Sequence, residues 1–431
     1  MNRLALVPGA LVLGGIAERL VLRQPPPALS TAFAQPLAVV TAWGSLGIAV
    51  WGTFAVTIAV AGIALWWSTR ALGAVEPSRR QLVGVIAAAA ASLAALYTWP
   101  VVFSSDVYTY ALYGDLANHG LNPYAHVALP ADAIARNAVA QWGATPPTCP
   151  YGPLFVRLAQ FVVAATTGAG EGATIFVLRL CAGGAFLGCI VAVWEILRKQ
   201  RSARRVAATV LFGLNPVALW SVAEGHNDAL MLLPILVGVA AALRGRGFAG
   251  GLLCGLGFAF KAPAIVAGLA LGIRRSVRGH AFAGLAVGLG CTALTALPFA
   301  TGFGNQIAGH AAYAPQYSLQ SLAAQLARLT PLPAVTADRL GWLAALAICA
   351  AVAADGLRRI AAGDAGRGLG RLAVAAWLAI PYPYPWYGLW FLPLAVTLGR
   401  GQGSALLGGT FASAVRYIPD MVGTLGPMLR F

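Results

Sequence analysis

Charge is what this sequence has least of. Only 10% of its 431 residues are Asp, Glu, Lys or Arg, whereas a soluble domain carries about 25%. The apolar residues, 59% of the chain, come in runs of roughly 15 to 25 and not in the alternating pattern of a half-buried strand. A soluble core of this length would need far more polar surface. The composition excludes a soluble globular domain and predicts an all-α, polytopic integral membrane protein.

Cysteine and acidic residues are also scarce. The six cysteines are scattered without a CxxC pair, so neither a disulfide framework nor a zinc site is indicated. Asp and Glu number 13 against 29 Lys and Arg, which gives a net charge of +16. Such an excess can mean nucleic-acid binding, but here the basic residues cluster between apolar runs that return to one side of the membrane. These clusters lie at 70–80, 198–205, 244–246, 274–278 and 358–371.

The distribution of the basic residues therefore indicates the membrane topology, and no nucleic-acid partner is predicted. The arginine-rich side is expected to be cytoplasmic and to attract anionic membrane lipids. We expect a multi-pass protein of the inner (plasma) membrane whose polar outer loops, including 301–338, face the periplasm or the extracellular side.

The apolar runs predict about 13 transmembrane helices, with one helix at 206–221, in a single domain that covers residues 1–431. A long outer loop at 103–153 interrupts them and contains a candidate surface helix at 131–141. The next run, 154–168, is too short for a full crossing. We expect it to form an interfacial helix that covers the site together with the loop.

Two later runs are broken near the outer side, one at Lys261 and Pro263 and the other at 381–390. At Lys261 two short helices are expected to meet. Irregular backbone at membrane depth is tolerated only against protein or a water-filled cavity. The breaks therefore predict a pocket that opens to the outer side.

Two carboxylates stand among the tyrosines of the first outer loop. Asp106 lies close to the apparent end of a membrane helix, where a carboxylate is expensive unless it has partners or a function. A carboxylate in reach of a hydroxyl group can take up its proton, so Asp106 is the predicted general base. Asp115 follows nine residues later, which on a helix is a rotation of about 900° and puts it on the opposite face. Asp115 is the alternative base.

The GHND turn at 225–228 joins two apolar runs on the outer side. His226 is a candidate hydrogen-bond donor to a phosphate or a sugar, and Asn227 and Asp228 are candidates for contacts with sugar hydroxyls. Asn and Asp are also common helix caps, and capping is compatible with a role in binding.

Buried cations are the third signal. The chain has two lysines, Lys199 and Lys261, and Lys261 stands in an apolar run before a helix-breaking proline. An ammonium there suits a phosphate, although snorkelling to the interface is the alternative. Arg179, inside another apolar run, is a second candidate phosphate ligand or a packing residue. Trp386 and Tyr387 are candidates for stacking on a sugar ring, with an interfacial aromatic belt as the alternative.

Six motifs in order resemble those of the polyprenyl-phosphate-mannose-dependent mannosyltransferases of the GT-C superfamily, nearest to the bacterial α-mannosyltransferases. They are SSDVYTYALYG at 104–114, GLNPY at 120–124, PYGPLF at 150–155, GHNDALM at 225–231, FKAP at 260–263 and PWYGLW at 385–390.

The resemblance implies a GT-C-like fold, a polyprenyl-phosphate sugar donor, a lipid or glycan acceptor reached from the outer side, and an inverting single displacement. It places the catalytic aspartate of the family at Asp106 and its helix-break lysine at Lys261. Asp115, Tyr108 and Tyr124 are then expected to contact sugar or acceptor. The first two helices look like an addition to the minimal pattern.

No cofactor is expected, and no metal is required, because cationic side chains can stabilise the leaving phosphate. If a divalent ion takes part, Asp106, Asp115 and Asp228 are its candidate carboxylate ligands. The rival prediction is a transporter or flippase of lipid-linked sugars, which would also explain broken helices and an intramembrane lysine.

Overall fold

The computed structural model describes residues 2–22, 44–72, 76–99, 104, 106–200, 202–273, 276–300, 302, 323, 326–379, 384–395 and 400–416. Within these ranges the chain forms helices and no β-strand, which confirms the all-α class. Most of the predicted second outer loop at 301–338 and the first residues of the predicted break at 381–390 lie outside the described residues.

The helices fall into three groups along the chain. The first half contains α1 (Leu6–Leu22), α2 (Gly44–Leu72), α3 (Arg79–Tyr97), α4 (Asp106–Asn118), α5 (Ala133–Trp142) and α6 (Pro153–Thr166). The centre contains α7 (Glu171–Ile196), α8 (Ser202–Gly213), α9 (Pro216–Ala223), α10 (Asp228–Leu243), α11 (Gly247–Phe258), α12 (Ala264–Ile273) and α13 (Arg278–Ala296). The last part contains α14 (Ala334–Ala361), α15 (Ala365–Ala379), a 3₁₀ helix (Pro385–Trp390), α16 (Leu392–Ala395) and α17 (Arg400–Arg416).

Seven helical stretches of the described chain are long and apolar enough to cross a membrane. They are Arg3–Val21, Ala49–Leu72, Arg79–Tyr97, Glu171–Lys199, Arg204–Ala223, Arg278–Phe299 and Ala334–Ala361. The predicted polytopic membrane protein is thus supported, but the predicted number of about 13 spans is not confirmed. Several apolar helices, among them α10, α11 and α12, have only 10–17 residues, fewer than the roughly 20 that a full crossing needs.

Large apolar side chains remain on the outside of the long helices. Leu13 and Leu20 of α1 are 68% and 74% exposed, and Val56 and Ile63 of α2 are 64% and 61% exposed. Such a surface would drive aggregation in water and is the surface that a helix presents to lipid. The opposite face of α1 packs on α2 and α3. Helices α2 and α3 in turn pack on α8 and α9 in the main core, where Phe54 lies against Trp220 with ring centroids 4.8 Å apart.

The first outer loop is more helical than predicted. Its first part, from Asp106 to Asn118, is the helix α4, and the eleven residues from Val107 to Ala117 are all buried. A helix enclosed by protein on every side needs no apolar stripe, which is why its polar sequence read as a loop. The predicted surface helix at 131–141 is confirmed as α5, with Asp132 as its N-cap.

The predicted helix at 206–221 lies within Arg204–Ala223, one of the stretches long and apolar enough to cross a membrane. It is interrupted at Asn215 between α8 and α9, because Pro216 cannot continue the hydrogen-bond ladder of α8. The predicted meeting of two short helices at Lys261 is confirmed, since α11 ends at Phe258 and α12 begins at Ala264.

The central helices have two chemically different ends. What we call the arginine end comprises the C-termini of α7 and α10 and the region between α14 and α15. Glu195 there pairs with Arg205 and Arg244, and Asp355 pairs with Arg359 at 2.9 Å and with Arg371 at 3.2 Å. What we call the site end comprises the start of α4, the turn between α9 and α10, and the break between α11 and α12.

Candidate active site

The GHND turn packs directly against the start of α4. Asn215 begins α9 by accepting hydrogen bonds from the first free N–H groups of that helix, and Pro216 occupies its first position. Helix α9 ends after eight residues, and Gly225 then takes a positive φ of +94°. A Cβ on Gly225 would lie 2.9 Å from the Val107 side chain. Both the conformation and the contact require glycine here.

The three residues after Gly225 bury polar atoms that lack partners. His226, Asn227 and Asp228 are 1%, 2% and 0% exposed. Both ring nitrogens of His226, both side-chain amide atoms of Asn227 and Oδ2 of Asp228 have no hydrogen-bond partner. Buried polar groups in proteins are nearly always paired with protein or ordered water. This concentration of unpaired atoms is typical of a site that a polar ligand completes.

Asp106, the first residue of α4, faces this turn. Its Oδ2 lies 3.4 Å from Nδ1 of His226, and the Tyr110 hydroxyl, one turn further along α4, donates to the same oxygen at 3.5 Å. The Asp106 side chain is 22% exposed, whereas that of His226 is 1% exposed. The carboxylate is therefore the accessible member of a group of buried donors, as a general base must be.

The aromatic segment at 384–390 lies against the same turn. Trp386 stacks on His226 with ring centroids 3.9 Å apart and an interplanar angle of 15°. Tyr384 stacks on the Trp386 ring at 4.6 Å. The indole thus holds the imidazole in one orientation, and the two predicted site residues His226 and Trp386 are brought together.

Lys261 is held by a carboxylate and an aromatic cage. Its Nζ donates to Oδ1 of Asp228 at 2.7 Å, and Nε1 of Trp390 donates to the same oxygen. The ammonium lies 5.3, 5.0 and 5.2 Å from the ring centroids of Tyr151, Tyr387 and Trp390, within the range of cation–π attraction. An ammonium has three N–H donors, and Asp228 uses one of them.

The PYGP motif brings Tyr151 to this lysine by packing on the backbone of the helix break. The Gly152 N–H donates to the Phe260 carbonyl at 2.9 Å, and the Leu154 N–H donates to the Ala259 carbonyl at 2.9 Å. A Cβ on Gly152 would lie 2.2 Å from the Ala259 carbonyl oxygen, so only glycine permits this approach.

Two tyrosine hydroxyls connect the aspartate with the lysine. The hydroxyls of Tyr110 and Tyr151 are 3.2 Å apart, and Tyr110 also donates to Asp106. Burial raises the pKa of both phenols well above the ordinary value, and the Asp106 carboxylate raises it further. Both tyrosines therefore stay protonated and can act as hydrogen-bond donors.

Arg179 has three backbone partners at the site end. Its guanidinium donates to the carbonyl oxygen of Ala223 and, at 3.4 Å each, to those of Leu96 and Tyr97. It thereby caps the C-terminal ends of α9 and α3. These contacts favour a structural role, and phosphate binding by Arg179 stays a prediction.

Tyr108 and Tyr124 are buried beside the site, at 4% and 3% exposure. The Tyr124 hydroxyl donates to the Tyr151 carbonyl at 2.9 Å, and burial raises the pKa of both phenols. Tyr124 thus supports the loop that carries Tyr151. The predicted contacts of Tyr108 and Tyr124 with sugar or acceptor stay predictions.

Asp115 lies away from Asp106 on α4, as the helical rotation between them predicts. It is 5% exposed and its Oδ1 is 3.5 Å from Nδ1 of His119. Burial, together with the neighbouring carboxyl group of Asp132, raises the pKa of Asp115 to about 6. The structure therefore separates the two candidate carboxylates into different surroundings, and a direct role of Asp115 with sugar or acceptor stays a prediction.

An apolar cavity of about 120 Å³ begins beside Trp390 and Pro263 and follows α10 away from the site. Its lining on α10 runs from Met231 to Val239, about 12 Å along that helix at 1.5 Å per residue. Only apolar side chains line it: Met231, Leu232, Ile235, Leu236, Val239, Pro263, Val266, Ala267, Leu369, Leu372, Ala373, Ala376, Trp390 and Phe391.

Sequence reasoning missed three residues that complete this arrangement. Tyr110 and Tyr151 link Asp106 to the lysine cage, and Trp390 contacts Asp228. All three stand in motifs that the sequence analysis quoted. The sequence does not show where their hydroxyl and indole groups point, because that depends on how the helices pack.

Membrane helices that gather a carboxylate, an imidazole and a caged ammonium at one end are suited to a membrane-bound transferase or a lipid transporter. Comparison with known proteins decides the family. Residues 4–274, more than half of the chain, match the family model described as alpha-(1->6)-mannopyranosyltransferase, N-terminal domain. The chain belongs to this family. The match begins at residue 4, so it includes α1 and α2.

Individual relatives carry the same name. The chain is 35% identical over 171 residues to alpha-(1->6)-mannopyranosyltransferase A of Mycobacterium tuberculosis, which covers 38% of this chain and 32% of that protein. It is 30% identical over 177 residues to alpha-(1->6)-mannopyranosyltransferase A of Corynebacterium glutamicum, covering 39% of this chain and 35% of that protein. The alignments thus span about a third of each relative. No solved structure gives a significant match.

Proposed function

We propose that the protein is an integral-membrane mannosyltransferase that uses a polyprenyl-phosphate-mannose donor. One observation carries this proposal. Asp106, the GHND turn and Lys261 are far apart in the chain, yet they meet at one end of the helices. The family supports mannose as the sugar, since its model and the relatives named above are described as α-mannopyranosyltransferases.

Asp106 acts as the general base. The acceptor hydroxyl oxygen attacks the anomeric carbon, the bond from that carbon to the phosphate oxygen breaks, and the hydroxyl proton passes to the Asp106 carboxylate. The electron pair leaves with polyprenyl phosphate. Attack from the face opposite the phosphate inverts the configuration, so a β-linked donor yields an α-linked product.

Lys261 and His226 bind the donor phosphate. Two N–H donors of the ammonium remain after its bond to Asp228. Both buried ring nitrogens of His226 lack a hydrogen-bond partner, and Nδ1 lies 3.4 Å from the Asp106 carboxylate. Cationic and N–H donors fixed in place before the reaction stabilise the charge that develops on the leaving phosphate. Trp386 stacks on both His226 and Tyr384 and orients the imidazole. Tyr387, whose ring borders Lys261, lies where it can contact the sugar, and Asn227 offers amide groups to the sugar hydroxyls.

The apolar cavity supports a lipid-linked donor. It starts at Trp390, whose indole contacts Asp228, and it continues along α10 between side chains that offer no hydrogen bond. A polyprenyl chain could lie there while its phosphate reaches Lys261. The arginine end lies opposite the site end, and by the positive-inside rule this supports a reaction on the outer side of the plasma membrane with a lipid or glycan acceptor.

The rival function is a transporter or flippase of lipid-linked sugars. It needs Lys261 and the apolar cavity but no base. A transfer assay separates the two functions. Purified wild-type protein, the Asp106→Asn variant and a matched Asp364→Asn variant are given radiolabelled polyprenyl-phosphate-mannose and a membrane lipid extract as acceptor. Asp364 lies at the arginine end, where asparagine can replace it as the partner of the Arg367 N–H.

We expect label transfer by wild type and by Asp364→Asn, and a loss of about 10²–10⁴-fold in Asp106→Asn with donor binding retained. Transfer by Asp106→Asn at the wild-type rate would disprove the assigned base. If none of the three proteins transfers label but all move the labelled lipid across vesicle membranes, the transporter function is correct.

A further inference from the structure

A second group of ionisable side chains lies on the other end of α4. Asp115, His119 and Asp132 each offer one ligand atom, and these atoms all lie within 4.8 Å of one another. Asp115 and His119 are one turn apart on α4, and Asp132 is the N-cap of α5. The group is separated from Asp106 by nine residues, about 14 Å along the helix.

The carboxylates of this group have unsatisfied oxygens. Asp115 is 5% exposed, and its Oδ2 is closed to solvent and has no hydrogen-bond partner. Oδ2 of Asp132 is in the same state, while its Oδ1 accepts the capping hydrogen bond from the Ala135 N–H. Two like charges that face each other in a buried place destabilise the fold unless a positive charge lies between them.

Apolar contacts hold these carboxylates together. Leu112 and Leu116 of α4 flank Asp115 and pack against Ala135 and Ala138 of α5 in one small core. The two helices therefore cannot move apart to relieve the repulsion without exposing that core.

We propose that Asp115, His119 and Asp132 form a binding site for a divalent transition-metal ion that fixes α5 to α4. Two carboxylates and one imidazole suit Zn²⁺ or Mn²⁺ better than Ca²⁺, which takes six to eight oxygen ligands. The His119 side chain is 51% exposed, so an ion can enter from water and a chelator can remove it. This site lies about 14 Å along α4 from Asp106, the proposed base, and its role is to hold α5, part of the cover of the active site, in place.

The test measures metal on the untagged, full-length protein in detergent. The protein is stripped with a chelator, dialysed against Zn²⁺, Mn²⁺ or Ca²⁺, and analysed by inductively coupled plasma mass spectrometry. Asp132→Asn and His119→Gln are compared with wild type and with Asp364→Asn. Asparagine caps helices as well as aspartate does, so Asp132→Asn removes the charge and keeps the cap.

We expect wild type and Asp364→Asn to bind one Zn²⁺ or Mn²⁺ more than the two site variants, whose affinity falls by more than about tenfold. The melting temperature gives a second readout. The difference between wild type and Asp132→Asn should change sign when metal is added. In chelator, Asp132→Asn melts at a higher temperature than wild type, because the repulsion is relieved. With the metal added, wild type melts at the higher temperature.

Three results would overturn the proposal. Equal metal content in wild type and both site variants would mean that the ions bind elsewhere. A higher melting temperature of Asp132→Asn in both conditions would mean that added metal does not relieve the repulsion between the carboxylates. Binding of Ca²⁺ alone, independent of His119, would refute the transition-metal site. None of these results bears on sugar transfer, so this proposal fails separately from the proposed function.

Discussion

The polar groups at the arginine end and those at the site end differ in their burial and in whether they have partners. At the arginine end, charges lie in partly exposed pairs and networks, such as Asp355 with Arg359 and Arg371. At the site end, His226, Asn227 and Asp228 are nearly fully buried and retain polar atoms without partners. An exposed pair contributes little to stability, whereas an unpaired buried atom costs about 1–3 kcal/mol. The unpaired polar atoms at the site end thus lower the stability of the fold, and they are available to bind a ligand.

Substitution of the two lysines, one at each end, tests this contrast. It gives the largest expected effect on the rate of transfer. Lys261→Gln should lower mannosyl transfer by about 10²–10³-fold and weaken donor binding, because it removes the cation that meets the leaving phosphate. The matched change Lys199→Gln affects an exposed lysine at the arginine end and should leave the rate within about twofold. Rates and donor affinity are measured with labelled donor.

Removal of Lys261 also leaves Asp228 as an unpaired buried charge, which can unfold the protein by itself. The double variant Lys261→Gln with Asp228→Asn removes both charges and should recover the melting temperature without recovering donor binding. If donor binding returns with the fold, Lys261 is a structural partner of Asp228 and not a phosphate ligand.

The next prediction compares the stability cost of substituting one glycine with positive φ at each end. Gly245, at the arginine end, has φ +85° and open space around its Cα, so Gly245→Ala should cost about 1–2 kcal/mol for the backbone alone. Gly225→Ala has the same backbone penalty and adds a contact of 2.9 Å with Val107, worth about 1–3 kcal/mol more. Melting temperatures give the stabilities.

The rate separates these glycines further. Because Gly225 precedes His226 and contacts α4, its substitution should shift His226 against Asp106 and lower transfer by tenfold or more. Gly245→Ala should lower stability alone. Equal losses of rate in both variants would show that the turn does not position the site.

Much of this arrangement was predictable because its signals are local. A proline after Lys261 breaks a helix wherever it stands, and nine residues of helix turn Asp115 away from Asp106. The pairing of Lys261 with Asp228 was not predictable, because it depends on how α10 meets the break between α11 and α12. Helix α4 read as a loop because protein encloses its residues on all sides, which no local pattern reveals.

Arg179 shows the same limit in a cation. An arginine inside an apolar run predicts either a ligand or a structural partner, and the sequence leaves both open. The structure gives Arg179 the carbonyl groups at two helix ends, Leu96 and Tyr97 on one side and Ala223 on the other. Lys261 differs, because it has one carboxylate partner and keeps two N–H donors available. This difference between Arg179 and Lys261 depends on how α3, α7 and α9 pack and cannot be seen in the sequence.

The smallest expected effect concerns the hydroxyl that joins Asp106 to the lysine cage. Tyr151→Phe removes a hydroxyl 3.2 Å from that of Tyr110 and keeps the ring beside Lys261. A hydrogen bond of this kind contributes about 0.5–1.5 kcal/mol, so transfer should fall about two- to tenfold. Tyr113→Phe is the control, since its hydroxyl donates to the Pro147 carbonyl at 3.0 Å and lies outside the chain of contacts from Asp106 to Lys261. If both variants lose the same activity, the tyrosines hold the cover in place. If Tyr151→Phe alone loses activity while its melting temperature equals that of Tyr113→Phe, the hydroxyl acts on the groups that react, and the site end extends from α4 to the helix break as one connected unit.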